Sequence, residues 1–149
     1  MLPRDGALPF LGAKVTKSAN QAITAAGGNE DVSFDQEDYD YGGFHDNVTN
    51  NERFTIPAGV SWIQMDTSLE YDGSTASRRA NFSKNGVAWT EGSPLTATGP
   101  IANHLESINL TSPPFEVVEG DYFTVRTNTD TDENITNGVG TYFAIWVLV

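Results

Sequence analysis

Gly138-Val-Gly-Thr-Tyr-Phe-Ala-Ile-Trp-Val-Leu-Val149 closes this 149-residue chain and decides how the rest is read. From Thr141 onward every second residue (Phe143, Ile145, Val147, Val149) is apolar. The residues between them (Tyr142, Ala144, Trp146, Leu148) are apolar as well. β-Branched and aromatic side chains dominate, no proline interrupts the run and glycines precede it, so the segment reads as a strand. A strand with one wet face would alternate apolar and polar residues. This one needs cover on both faces. One face meets the domain's own core. For the other, in a chain without a helical pattern, a second copy of the protein is the simplest cover; the chain's own loops are the alternative.

The bulk composition agrees with a β-class domain. A chain of this length forms one domain and buries on the order of 70% of its unfolded surface. Gly 14 and Pro 7 mark a turn-rich sequence, and no long stretch carries a 3.6-residue period, so the class is all-β. Cysteine is absent, which excludes disulfides and thiolate metal sites. The N-terminus has no apolar run long enough for a signal peptide and no segment is long enough to span a membrane, so synthesis and folding in a cytoplasm are expected. The net charge of -12, from 20 acids against 8 bases, argues against nucleic acid and anionic membranes as partners.

Residues 1–11 differ from everything after them. Pro3 and Pro9 forbid a helix, while Leu2, Leu8, Phe10 and Leu11 are apolar without a strand pattern. Fully extended, the stretch reaches about 35 Å at ~3.3 Å per residue. It is either a leader or an arm that docks on a larger surface; its apolar content favours the arm. Short strands are then expected at 13–16 and 32–34, followed by an acidic loop, Asp35 to Asp46. Arg53 to Pro57 leads through a turn at Pro57-Ala-Gly59 into the longest strand, Val60 to Tyr71. There Ser61, Ile63, Met65, Thr67, Leu69 and Tyr71 form the mainly apolar face, opposite Gln64, Asp66 and Glu70. Asn85-Gly86, between 78–84 and 87–90, carries the strongest hairpin signal, because both residues tolerate positive φ. Another strand covers 105–111, and Glu119-Gly-Asp121 turns into 122–127. A polar loop over 128–140 then delivers the final strand. About ten strands without a helix predict a two-sheet antiparallel sandwich or jelly roll.

The order of these motifs resembles the C1q/tumour-necrosis-factor-like jelly roll, in its compact bacterial and bacteriophage versions. The resemblance rests on Phe34-Asp-Gln-Glu-Asp-Tyr39 with Gly43-Phe-His-Asp46, then Arg53-Phe-Thr-Ile-Pro-Ala-Gly59, then Arg78-Arg79 through Lys84-Asn-Gly86. Glu119-Gly-Asp121 and Gly138-Val-Gly-Thr-Tyr-Phe143 complete it, so that it spans residues 12–149. It implies a homotrimer of ten-stranded jelly rolls with the C-terminal strand central in the inner sheet. It further implies that Phe143, Ile145 and Val147 face the core while Tyr142, Ala144, Trp146 and Leu148 face the three-fold axis. Residues 1–11 stand where relatives carry a collagen-like or coiled-coil stalk.

Chemistry is sparse. His45 and His104 lie in separate stretches, expected as turn or surface residues, with no nucleophile motif near either, and Gly-x-Ser-x-Gly is missing. Acidic pairs such as Glu37/Asp38 are too common here to single out a glycosidase site. An enzyme is therefore not expected. Calcium is the one cofactor for which the chain offers dense hard oxygen ligands, in Asp35 to Asp46 and in Asp130, Asp132 and Glu133. Neither run matches an EF-hand loop, and solvated acidic loops are the competing reading. Cytoplasmic synthesis, an extracellular-type binding fold and an apolar arm together point to a virion protein of a bacteriophage or phage-like particle. A trimeric capsid decoration or head-fibre protein is the first expectation, docked on a capsid through Leu2, Leu8, Phe10 and Leu11 and offering adhesion to host-surface glycans. A receptor-binding tail-fibre tip or baseplate protein is the alternative. A free bacterial C1q-like carbohydrate-binding module is the alternative of another class.

Overall fold

A computed structural model describes residues 10–73, 77–88, 97–99 and 106–148, the side chains of 97–99 and 106 excepted. In chain order the strands are β1 (Gly12–Thr16), β2 (Gln21–Ile23), β3 (Glu30–Asp31), β4 (Gln36–Tyr41), β5 (Arg53–Thr55), β6 (Trp62–Tyr71) and β7 (Arg78–Lys84). They continue with β8 (Val87–Ala88), β9 (Ala97–Gly99), β10 (Glu106–Thr111), β11 (Phe115–Glu116), β12 (Tyr122–Thr129), β13 (Glu133–Ile135) and β14 (Tyr142–Val147). No helix occurs among the described residues. The strands form two antiparallel sheets. One runs β2-β13-β6-β14-β1-β4, with β10 and β11 also paired to β6. The other runs β3-β12-β7-β8, with β5 paired to β12 and β9 to β7.

Period-two alternation explains how the first sheet closes on the second. In β6, Ile63, Met65, Thr67, Leu69 and Tyr71 are fully buried, while Gln64, Asp66 and Glu70 on the other face are half-exposed. β12 sends Phe123, Val125, Thr127 and Thr129 inward from the opposite sheet, and β7 sends Ala80 and Phe82. At the turn between β7 and β8, Asn85 and Gly86 sit at φ 52° and 80°, the left-handed pair that a two-residue hairpin requires. The Asn85 side chain strengthens this corner by donating to Asp121 at 2.9 Å and accepting from the Tyr122 N–H at 2.9 Å.

β14 lies between β6 and β1. It pairs Phe143 with Thr67 and Val15, and Ile145 with Met65 and Ala13. Phe143 is the hub of the core: its ring lies 4.3 Å from that of Phe54, 5.8 Å from Phe82 and 5.9 Å from Phe34. Phe34 comes from the β3–β4 connection and Phe54 and Phe82 from the second sheet, so one side chain joins both layers.

A polar bolt joins the sheets at another point. Arg78 on β7 donates from Nε to Glu133 Oε1 at 2.8 Å and from Nη2 to Oε2 at 2.6 Å, with both side chains 1% exposed. A second Nη2 bond reaches the Gly73 carbonyl at 2.5 Å, and the guanidinium stacks 4.8 Å over the Tyr71 ring. The Tyr71 hydroxyl meets Thr127 Oγ1 at 2.7 Å. Thr127 uses its one proton on the Arg79 carbonyl, so Tyr71 is the donor. Burial, the largest cause, pushes the Tyr71 phenol up to about 12.

Two stretches expected as loops are strands. Residues 36–41 of the acidic stretch form β4, the edge strand paired with β1, with a register shift between Lys14 and Val15. An edge tolerates Glu37, Asp38 and Asp40 because charges there discourage pairing with another chain. Within 128–140, β13 pairs with β2 and touches β6 at Tyr71. Ile135 closes the core there, and Glu133 is buried only because Arg78 neutralises it.

Phe143→Ala removes the hub ring from a site with no exposure and should lower unfolding free energy by roughly 3–5 kcal/mol. Urea denaturation checks this; a loss below ~1 kcal/mol would mean that the core does not depend on the ring.

Candidate oligomerisation surface

The outward face of the first sheet is set by the same parity that builds the core. Because Phe143 and Ile145 point inward and Val147 packs against the core cluster, Tyr142, Ala144 and Trp146 point outward. Cross-strand pairing sets Tyr142 beside Ser68, Ala144 between Asp66 and Lys14, and Trp146 between Gln64 and Gly12. Leu148 follows the strand, its N–H donating to the Trp62 carbonyl at 2.9 Å. Ala144 is already closed over within one chain. Tyr142, Trp146 and Leu148 are half-buried, and Trp62, on the same face of β6, is 43% exposed. Trp62 was not singled out from the sequence, though its spacing of two from Gln64 places it on this face.

Gly12 is a condition of this packing. A Cβ on Gly12 would lie 2.5 Å from the Ile145 carbonyl oxygen and 3.4 Å from Trp146 Cα. Any larger residue would push β1 away from β14 where Gly12 pairs with Trp146.

The centre of the face is polar and internally satisfied. The Tyr142 hydroxyl donates to Asp66 Oδ2 at 2.5 Å, and Thr111 Oγ1 donates to Asp66 Oδ1 at 2.6 Å. Lys14 places its ammonium 5.2 Å from the Tyr142 ring centre and pairs with Asp38 at 2.8 Å. Burial first, and then the hydrogen bond and charge of Asp66, push the Tyr142 phenol up to about 12.

The apolar N-terminal residues reach the margin of this face. Phe10 is 54% exposed and stands edge-on to Tyr39 at 5.8 Å and Tyr41 at 6.3 Å, two rings stacked 5.7 Å apart on β4. The Leu11 carbonyl accepts the Val147 N–H at 3.1 Å, so the β1 edge continues one residue before Gly12. Leu2 and Leu8 lie outside the described residues.

The acidic residues considered for calcium are spread apart. Asp130 Oδ1 accepts from the Ser77 N–H at 2.8 Å, Asp132 Oδ1 accepts from the Ala25 N–H at 2.9 Å, and Glu133 is held by Arg78. In 35–46, Asp40 accepts three backbone N–H groups, those of Gly43, Phe44 and His45, each at 3.0 Å. Asp46 accepts two more, from Val48 and Thr49, which hold its carboxyl below the usual range. Among the described residues no three His, Cys, Asp or Glu side chains gather into a metal-binding group. His45, expected as a turn or surface residue, sits in a turn with its side chain only 1% exposed. Nδ1 is 3.3 Å from Glu37 and Nε2 is 3.1 Å from the Asn51 carbonyl. His104 lies outside the described residues.

No family model matches the chain, and no curated protein matches its sequence. Among solved structures, murine APRIL in crystals at pH 8.5 and pH 5.0 superposes with TM-scores of 0.65 and 0.66. The identities are 12% and 10%, and each alignment covers 93% of this chain and 99% of that one. Eiger TNF from S. frugiperda superposes with a TM-score of 0.54 at 12% identity, over 95% of this chain and 94% of that one. At such identities the likeness is of fold: the chain is a tumour-necrosis-factor-like jelly roll.

Tyr142 provides a titration test of the outward face. Its folded value lies above the ordinary 10.0, so the protonated phenol favours the fold fully below pH 10 and that contribution is lost as pH rises towards about 12. Phenolate absorbance should show a late-titrating class that Tyr142→Phe reduces. An unchanged late class in the variant would contradict the Asp66 contact.

Proposed function

Taking the tumour-necrosis-factor-like jelly roll as premise, we propose that this chain is a non-enzymatic structural protein of a bacteriophage or phage-like particle. It acts as a homotrimeric capsid decoration or head-fibre protein. The observation that carries the reading is the outward face of β14. Trp146, Leu148 and Trp62 form an apolar surface on a chain whose net charge is -12, and nothing within the described chain lies over the exposed part of Trp62. A soluble acidic protein keeps such a face by covering it, and a second and third copy around one axis supply the cover. The interface of an obligate trimer of this kind buries over ~2,000 Å² in total.

Residues 1–11 supply the attachment. Two prolines restrict the backbone freedom of that stretch and so lower the entropy lost on docking, and three copies per trimer give avidity on a repeating capsid lattice. Phe10, exposed at the margin of the sheet, marks where the arm leaves the jelly roll.

Two variants test the two halves of the reading. Trp146→Asp should give a folded monomer by sedimentation velocity, because three carboxylates near one axis would be desolvated together. A trimer of unchanged mass would place the interface elsewhere. Deleting residues 2–11 should leave a folded trimer that no longer co-sediments with its particles. Full binding by the truncated protein would move the attachment surface to the jelly roll.

A further inference from the structure

The outward face of the second sheet carries a row of arginines on a chain whose net charge is -12. Phe54, Ala80, Phe82, Phe123 and Val125 are buried in the core. Alternation therefore turns Arg53 on β5, Arg79 and Asn81 on β7, and Tyr122, Arg126 and Asn128 on β12 to the outside. β5 and β3 pair with one side of β12 and β7 with the other. Arg53 stands opposite Thr124, Arg126 opposite Asn81 and Arg79 opposite Asn128. The arginines are thus successive diagonal neighbours, about 7–8 Å apart at Cα, in a line across three strands. Among the described strand residues of this face, Asp31, opposite Arg126, is the one carboxylate.

Most donors of this row are free. Arg126 uses Nε on Asp31 Oδ1 at 2.9 Å, an oxygen that also accepts the Thr124 hydroxyl at 2.7 Å. Its two terminal nitrogens meet no acceptor among the described residues. The Arg53 guanidinium is held 4.7 Å over the Tyr122 ring and makes no ion pair among the described residues. Beside it, Thr49, Asn50 and Thr55 line a recess of about 200 Å³. Asp46 also borders that recess, where it accepts the Val48 and Thr49 N–H groups. Arg79 is exposed and likewise makes no ion pair among the described residues.

Position and chemistry select the partner. The two sheets pack inner face to inner face, so their outward faces lie on opposite sides of the protomer. Copies gathered on β14 leave the arginine row uncovered. Forked guanidinium groups bind carboxylates through paired N–H bonds. A nucleic acid carries one charge per ~1.7 Å, and so short a row does not offset its repulsion by the whole chain. An acidic peptide held by its backbone needs an open strand edge, and β12 is paired on both sides. Between the arginines stand neutral groups. The Asn81 amide donates to the Phe82 carbonyl at 2.9 Å and keeps its oxygen as an acceptor, and Asn128 adds a second amide. Such groups suit the hydroxyls of a sugar.

We infer that this face binds a linear polysaccharide that bears carboxylate groups, its carboxylates on Arg53, Arg126 and Arg79 and its hydroxyls on the amides between them. The inference rests on the assembly reading only in that the trimer leaves this face free.

The test is fluorescence anisotropy of labelled octagalacturonate titrated with the full chain at low and at physiological salt. Labelled maltooctaose is the neutral control and labelled octaglutamate the peptide control. Octagalacturonate should bind, more weakly at physiological salt because exposed charges are screened, and maltooctaose should not. Arg53→Gln and Arg79→Gln should each weaken binding about two- to fivefold, the worth of one exposed ion pair. Lys84→Gln makes the same charge change at the Asp121 corner, away from the row, and should leave binding unaltered. No binding of octagalacturonate, equal binding of maltooctaose, octaglutamate bound as tightly, or arginine variants no weaker than Lys84→Gln would overturn the inference. The mass of the protein is read on the same samples. A trimer that binds no galacturonate sinks this inference alone, and a monomer that binds it sinks the assembly reading alone.

Discussion

The insertion of β14 between β6 and β1 is the constraint from which the rest of the structure follows. Six residues of β14 pair with β6 and four with β1, so the strand has no free edge through most of its length. Phe143 can then sit at the centre of the core, in ring contact with Phe34, Phe54 and Phe82. A strand cannot turn Phe143 and Ile145 inward without turning Tyr142 and Trp146 outward. The core and the outward aromatic face are thus one decision made by one backbone. Gly12 belongs to the same constraint, because β1 approaches β14 too closely for a side chain there.

The charge of the chain is managed around that frame and not through it. Arg78 and Glu133, 55 residues apart, form a buried pair that links the sheets. Removing either partner would leave the other charged and desolvated. Asp40 and Asp46 hold turns by accepting backbone N–H groups, while Asp66, half-exposed at the centre of the outward face, organises Tyr142 and Thr111. In the two stretches rich in carboxylates, Asp40, Asp46, Asp130 and Asp132 accept backbone N–H groups, whereas Asp38 pairs with Lys14 and Glu133 with Arg78.

Much of the fold was legible from local pattern. The alternation of 63–71 in β6 and the Asn85-Gly86 turn follow from side-chain period and turn chemistry alone, and the structure places both as expected. What pattern could not reveal depends on distant partners. Gln36–Tyr41 looks like a loop because its charges suit solvent; it becomes a strand because β1 offers it a free edge. β13 was hidden in a polar stretch because Glu133 reads as exposed until Arg78 is brought beside it. His45, similarly, is buried by a turn whose geometry Asp40 sets. On the outward face, the parity of 142–148 was legible, whereas Trp62 emerged only when β6 was laid alongside.

What covers that outward face decides the state of the protein in solution. A two-faced strand at the centre of a sheet is compatible with an isolated protomer only if water meets Trp62, Trp146 and Leu148. It is compatible with an assembly if other copies do. Native mass spectrometry of the full chain at micromolar concentration decides between them. A single species at three times the 16.1 kDa chain mass is the predicted result. A species at 16.1 kDa alone would mean that the protomer carries this face uncovered and that no trimer forms.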